Sequence, residues 1–201
     1  MKTTRLEAFS DGVIAILITI MVLELKVPHG TDWPALRQTV FTLLMYVLSF
    51  VYLGIYWSNH HHMFHATGHV SGSVLWANLH LMFWLSLIPF TTSWMGENHF
   101  SSLPTAIYGV VLLASAIAYV ILQSRIIAID GPSSPLATAV GGDLKGKVSM
   151  ALYLAGIFLA FVHPLIANVL YATVALIWLV PDRRIEAKLL SSQAAPDTER
   201  S

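Results

Sequence analysis

Two groups of residues in this sequence carry side chains that could do chemistry. The first is Arg5-Leu6-Glu7-Ala8-Phe9-Ser10-Asp11, which leads straight into an apolar run from Gly12 to Leu23. The second is Tyr56-Trp57-Ser58-Asn59-His60-His61-His62-Met63-Phe64-His65, with His69 following. His61 and His65 stand one helical turn apart, a spacing that can chelate a metal. A metal-dependent enzyme would draw on His60, His61, His65 and His69. A proton-coupled transporter would instead rely on Asp11 and His61. Against a metal centre, there is a single cluster without nearby carboxylates, and His80 and His163 are isolated. The plainer reading is that one or two histidines hydrogen-bond Asp11 or Arg5, because a buried charge needs such a partner. No metal or cofactor is therefore expected.

The remaining catalytic signatures are missing. No phosphate loop, serine-nucleophile motif or dinucleotide fingerprint is present, and with no cysteine there are no disulfides or thiolate sites. Net charge is zero, which argues against a nucleic-acid partner, since binding its backbone needs a basic field. The sequence gives no ground for an enzyme.

The elements that must position these residues belong in a lipid bilayer. Of 201 residues, 56% are apolar and 11% charged, where an average soluble domain carries roughly 25% charged residues. From Gln38 to Gly96 there is no Lys, Arg, Asp or Glu. A bilayer core takes roughly 20 apolar helical residues, and the sequence predicts an all-α integral membrane protein with six such spans. They run from about Arg5 to Leu25, from after Asp32 to about His62, from Ser73 to Trp94 and from Pro104 to Arg125. Two shorter helices follow, about Lys145–Phe161 and Pro164–Val180, separated where Pro164 disfavours helical geometry in the preceding residue. One long kinked helix is the alternative there. A polar loop fills Asp130 to Asp143. Residues 1–182 form the membrane domain and 183–201 a polar tail.

The first run has basic residues before it, as a signal peptide would. However, it contains Asp11, continues to Glu24 and lacks a small-residue cleavage pattern, so it is read as a mature helix. An even number of spans puts both termini on one side. That side holds nine basic residues, including Lys2, Arg5, Arg125, Lys145 and Arg183, against Lys26 and Arg37 on the other. The bias predicts a multi-pass protein of the cell membrane with both termini cytoplasmic. Trp33, Trp57 and Trp94 near helix ends fit interfacial anchoring.

An ionisable group inside a span costs about 2.5–3.5 kcal/mol on insertion scales and usually faces protein or water. Asp11 should therefore have a partner. At about 100° per residue, Gly12, Ile16, Thr19, Ile20 and Leu23 share one arc, and Asp11 points roughly 140° from Ile16. The branched arc could touch lipid or another helix. Its periodicity does not choose between them.

Arg5-x-x-x-Phe9-Ser10-Asp11 on a first hydrophobic helix resembles the signature of the transmembrane protein 175 family of potassium channels. Tyr56-Trp57-Ser58-Asn59-His60-His61 and Phe83-Trp84-Leu85-Ser86-Leu87-Ile88-Pro89-Phe90 are similar to its prokaryotic branch. The resemblance covers nearly the whole chain up to about Asp182. It implies a homotetramer in the bilayer, with each six-helix subunit placing its first helix around a central pore that passes potassium and other monovalent cations. It also implies a narrow ring of aliphatic side chains at Ile16, a threonine ring at Thr19, and Leu23 a turn further along. Arg5, Phe9, Ser10 and Asp11 would join a polar network with His61 and Trp84 that supports the pore helix. An ideal wheel places Arg5 near the pore arc, whereas that network needs it turned inward.

Overall fold

Long apolar runs between polar breakers become helices because a helix satisfies its own backbone hydrogen bonds away from water. The computed structural model describes residues 3–65, 67 and 70–179. Eight helices occur among them: α1 (Thr3–Leu23), α2 (Trp33–His65), α3 (Gly72–Ser86), α4 (Ile88–Glu97), α5 (Ser102–Asp130), α6 (Pro135–Val140), α7 (Leu144–Leu159) and α8 (Pro164–Leu179). The expected boundary between membrane domain and tail lies outside the described residues. Among the described residues, four stretches are long and apolar enough to cross a membrane: Thr3–Leu23, Thr39–His65, Gly72–Glu97 and Ser102–Asp130.

Local sequence accounts for the ends. Asp32 accepts the Ala35 amide at 3.1 Å and starts α2, with Pro34 in its first turn. The third expected helix is divided at Leu87. Pro89 has no amide proton to continue the ladder, and nearby carbonyls are taken up by hydroxyls instead. Thr91 Oγ1 donates to Leu87 and Ile88, and Thr92 Oγ1 to Ile88. The two pieces still form one apolar stretch.

The polar segment after α5 contains a short helix, α6, that was expected to be loop. Ser134 caps it by accepting the Ala137 amide, and Pro135 occupies its first turn. That serine–proline pair is a local helix-start signal within the polar segment. Asp143 caps α7 through the Gly146 amide at 3.0 Å. Residues 160–163 then turn the chain, so α7 and α8 are two helices rather than one with a kink. Each has 16 residues, about 24 Å of helix against a hydrocarbon core of about 30 Å.

The core is held by hydroxyl groups between otherwise apolar helices. Thr92 spends its proton on the Ile88 carbonyl, so Ser49 donates to Thr92 at 2.6 Å. Tyr108 must then donate to Ser49 at 2.9 Å. One directed chain thereby joins α5, α2 and α4. Tyr52 Oη donates to the Tyr171 carbonyl at 2.6 Å, and Tyr171 Oη to the Thr105 carbonyl at 3.4 Å. The Tyr171 ring fits because two facing helices carry glycine. A Cβ on Gly109 would come within 2.0 Å of its hydroxyl, and one on Gly156 within 2.4 Å of its ring.

Gly109→Val should therefore lower stability by about 1–3 kcal/mol through overpacking. Heating in detergent followed by size-exclusion chromatography should show the monodisperse peak lost several degrees earlier. Gly142→Ala, at a glycine with nothing within 4 Å, should leave that temperature unchanged.

Candidate functional site

The site is α1 and what holds it. Its buried residues are Leu6, Ser10, Ile14, Leu17 and Met21, a repeat that faces α2, α3 and α4. Its exposed residues include Arg5, Phe9, Gly12, Ile16, Thr19, Ile20 and Leu23. Ile16 is 57% and Leu23 79% exposed. The structure thus brings Ile16, Thr19 and Leu23 together on one outward stripe, with Phe9 and Arg5 on the same side. Arg5 lies on the arc given by the ideal wheel, and it pairs with none of the described residues. Thr19 Oγ1 donates to the Ile16 carbonyl at 2.9 Å. Its proton is turned back into the helix, which leaves the oxygen lone pairs available to a cation.

Polar contacts fix the rotation of α1. Trp57 Nε1 of α2 donates to Asp11 Oδ1 at 3.0 Å. Ser10 Oγ donates to the Leu6 carbonyl at 3.0 Å and accepts from Asn78 Nδ2 of α3 at 2.9 Å. Asn78 Oδ1 lies 2.7 Å from His60 Nε2. An amide oxygen only accepts, so His60 carries its proton on Nε2. This path, His60 to Asn78 to Ser10 to Leu6, joins three helices. All three side chains are buried.

The partners differ from those the sequence suggested. His61 is exposed on α2, with Nδ1 3.9 Å from Glu7 Oε1 rather than beside Asp11. Its ring stacks between Trp57 and His65, with centroids 6.5 and 5.9 Å away. Trp84 Nε1 donates to His80 within α3 at 2.9 Å and does not reach α1. His60 and Asn78, in contrast, emerge as central. Asn78 had a signal in the sequence, being a lone amide deep in an apolar run. His60 had no mark beyond its neighbours. Among the described residues, no three His, Asp or Glu side chains gather as a metal-ligand set. His69 of the metalloenzyme reading lies outside the described residues.

Beyond the far end of α1, Ser93 Oγ donates to Glu24 Oε2 at 3.3 Å, and Lys26 pairs with Glu97 at the end of α4. Glu97, by hydrogen bond and by charge, raises Lys26 above the ordinary lysine value. The tip of α1 is thus tied to α4 by polar contacts, while its middle is tied to α2 and α3.

A helical membrane chain with one polar-anchored helix presenting an apolar stripe has close relatives. The family described as "Endosomal/lysosomal potassium channel TMEM175" matches over residues 5–89, the part that holds α1 and its partners. A potassium channel of Chryseobacterium sp. (strain P1-3) is 53% identical over 189 residues, covering 94% of this chain and 98% of that one. A potassium channel of Streptomyces collinus is 36% identical over 126 residues, 59% of this chain and 61% of its own. In three dimensions the chain matches the crystal structure of a lysosomal potassium-selective channel TMEM175 homolog from Chamaesiphon minutus. That match has a TM-score of 0.76 and 25% identity, and it covers 90% of this chain and 97% of that one. The fold and site define a helical membrane protein of a channel family rather than an enzyme. The chain belongs to the TMEM175 family.

Removing the Asn78 amide leaves buried polar atoms on both His60 and Ser10 without their partners, at roughly 1–3 kcal/mol for each. Asn78→Ala should therefore unfold at clearly lower temperature than the parent in detergent. Trp84→Phe, which breaks only a contact within α3, should differ little from it.

Proposed function

We propose that this chain is the subunit of a potassium-permeable channel, four copies surrounding a central pore lined by α1. The observation that carries this reading is the division of α1 into an anchored face and an exposed apolar stripe containing Ile16, Thr19 and Leu23. The printed names of the relatives, potassium channels in Chryseobacterium and Streptomyces and a potassium-selective channel in Chamaesiphon, support the permeant ion. Each subunit crosses the bilayer six times, α3 and α4 acting as one span and α7 and α8 as two short ones. Both termini lie in the cytoplasm, on the side richer in Lys and Arg.

Conduction is passive, down the electrochemical gradient. Four Ile16 side chains form the waist, which closes by narrowness or dewetting and opens with a small rotation or dilation of the α1 bundle. Water in an aliphatic constriction is held weakly, so a modest change of radius has a large effect on wetting. Thr19 supplies oxygen one turn away, with its lone pairs free because its proton is committed to the Ile16 carbonyl. Isoleucine offers no ligand to a dehydrated ion, so discrimination between potassium and sodium is modest. Ser10 and Asp11 anchor the pore helix, with His61 beside Glu7 on the same flank, and do not bind the ion, whereas Arg5 and Phe9 lie on the outward side of α1 with Ile16. The anchoring contacts set how far α1 can turn.

Ile16→Asn places a polar amide at the waist. Single-channel recording in reconstituted bilayers should show higher conductance and a potassium-to-sodium permeability ratio closer to one. Currents identical to the parent's would contradict the assignment of the waist.

A further inference from the structure

A cavity of about 680 Å³ lies on the opposite side of α2 from α1, between α2, α5, α7 and α8, with α6 at its edge. Its size falls within the range of small-molecule sites, roughly 300–1,000 Å³. The faces of Tyr52, Tyr56, Tyr119, Tyr153 and Trp178 wall it. Flat aromatic walls favour a ligand with an apolar ring or alkyl body.

The polar groups between the aromatic walls are neutral. Tyr56 is 8% exposed, lines the cavity, and its hydroxyl bonds none of the described residues. Asn59 donates Nδ2 to the Ile55 carbonyl at 2.9 Å, which leaves its Oδ1 as an acceptor at the cavity surface. Gln123 also lines it, with an amide that bonds none of the described residues. The Tyr56 hydroxyl opens onto the cavity and can both donate to a ligand carbonyl and accept from a ligand hydroxyl.

Among the described residues, the charges lining the cavity are Asp143 and Lys145, of opposite sign and both at the start of α7. Asp143 holds the Gly146 amide, and the Lys145 ammonium lies 6.0 Å from the centre of the Trp178 ring. A charged ligand would have to draw Asp143 or Lys145 away from the partners each already has, so its own desolvation would be poorly compensated.

We infer that this cavity binds a neutral amphipathic small molecule, an apolar body bearing a hydroxyl or carbonyl that pairs with Tyr56 and Asn59. Its wall on α2 carries Tyr56 and Asn59, the immediate neighbours of Trp57 and His60, which hold α1. Occupancy is therefore placed next to the anchors of α1 without any contact to α1 itself.

The test uses the full chain in phosphatidylcholine nanodiscs and a neutral alkylphenol carrying a photoreactive diazirine. Mass spectrometry should map labelled sites around Tyr56, Tyr119 and Tyr153, and excess unlabelled alkylphenol should cut that labelling at least tenfold. Ala116→Phe, which projects a ring into the cavity from α5, should reduce it by a similar factor. Tyr56→Phe, the removal of one oxygen, should raise the competing concentration about fivefold, the value of a single hydrogen bond. Tyr56→Phe also serves where Ala116→Phe fails to assemble. Labelling confined to exposed positions such as Leu43 and Phe83, or insensitive to competitor and to both substitutions, would overturn the proposal. So would a phospholipid found by native mass spectrometry to fill the cavity and exclude the probe. The readout needs no ion current, so it stands or falls separately from the channel reading.

Discussion

A carboxylate in the third turn of a helix that is apolar from there on has to be met by a donor, and the hydrocarbon of a bilayer has none to give. Asp11 receives it from the Trp57 indole, and one residue earlier Ser10 receives Asn78. These two contacts lie on neighbouring helices, α2 and α3, so between them they fix the rotation of α1 about its axis. The branched residues on the other side are then obliged to point away from the protomer. Nothing about the stripe itself, made of residues content in lipid or against a neighbour, would settle its direction. The polar minority directs the apolar majority.

The rest of the protomer makes those anchors rigid. His60, which grips Asn78, is packed against Phe64 with ring centres 4.6 Å apart. The same helix is tied farther along by the Tyr108–Ser49–Thr92 chain and by Tyr52 to the Tyr171 carbonyl. Tyr171 in turn needs Gly109 and Gly156 to make room for its ring. The α7–α8 hairpin, whose helices are shorter than the hydrocarbon core even untilted, thereby braces α5 and α2 from the side remote from α1. Hydroxyl groups suit this role, since a tyrosine offers a large apolar face along with one directional bond.

Much of this arrangement is legible in the sequence. The arc of Gly12, Ile16, Thr19, Ile20 and Leu23 follows from helical geometry, and its exposure follows from the opposed polar residues. The division at Pro164 is also readable, because a proline disfavours helical geometry in its predecessor. Partner choice was not readable. Four nearby histidines differ only in helical phase, and a phase error of one residue moves a side chain by about 100°. His60 therefore faces inward to Asn78 while His61 faces outward to Glu7. Trp57 was assigned to the interface on its position alone, although an indole N–H can equally serve a carboxylate. The short helix α6 and the break at Leu87 escaped for another reason. Their signals, Ser134-Pro135 and Pro89, are local, and both were subordinated to the longer hydropathy pattern.

The central claim is that the α1 stripe faces water shared between subunits and not lipid. The chain contains no cysteine, so a single cysteine at each α1 position gives an unambiguous report. The measurement is block of potassium current by a charged, membrane-impermeant thiol reagent, taken position by position from Gly12 to Leu23. The account predicts block at Ile16, Thr19 and Leu23, with none at Ile14, Leu17 or Met21. Protection of the first three positions from that reagent, together with their ready modification by a lipid-soluble maleimide, would place the stripe against the bilayer and contradict it.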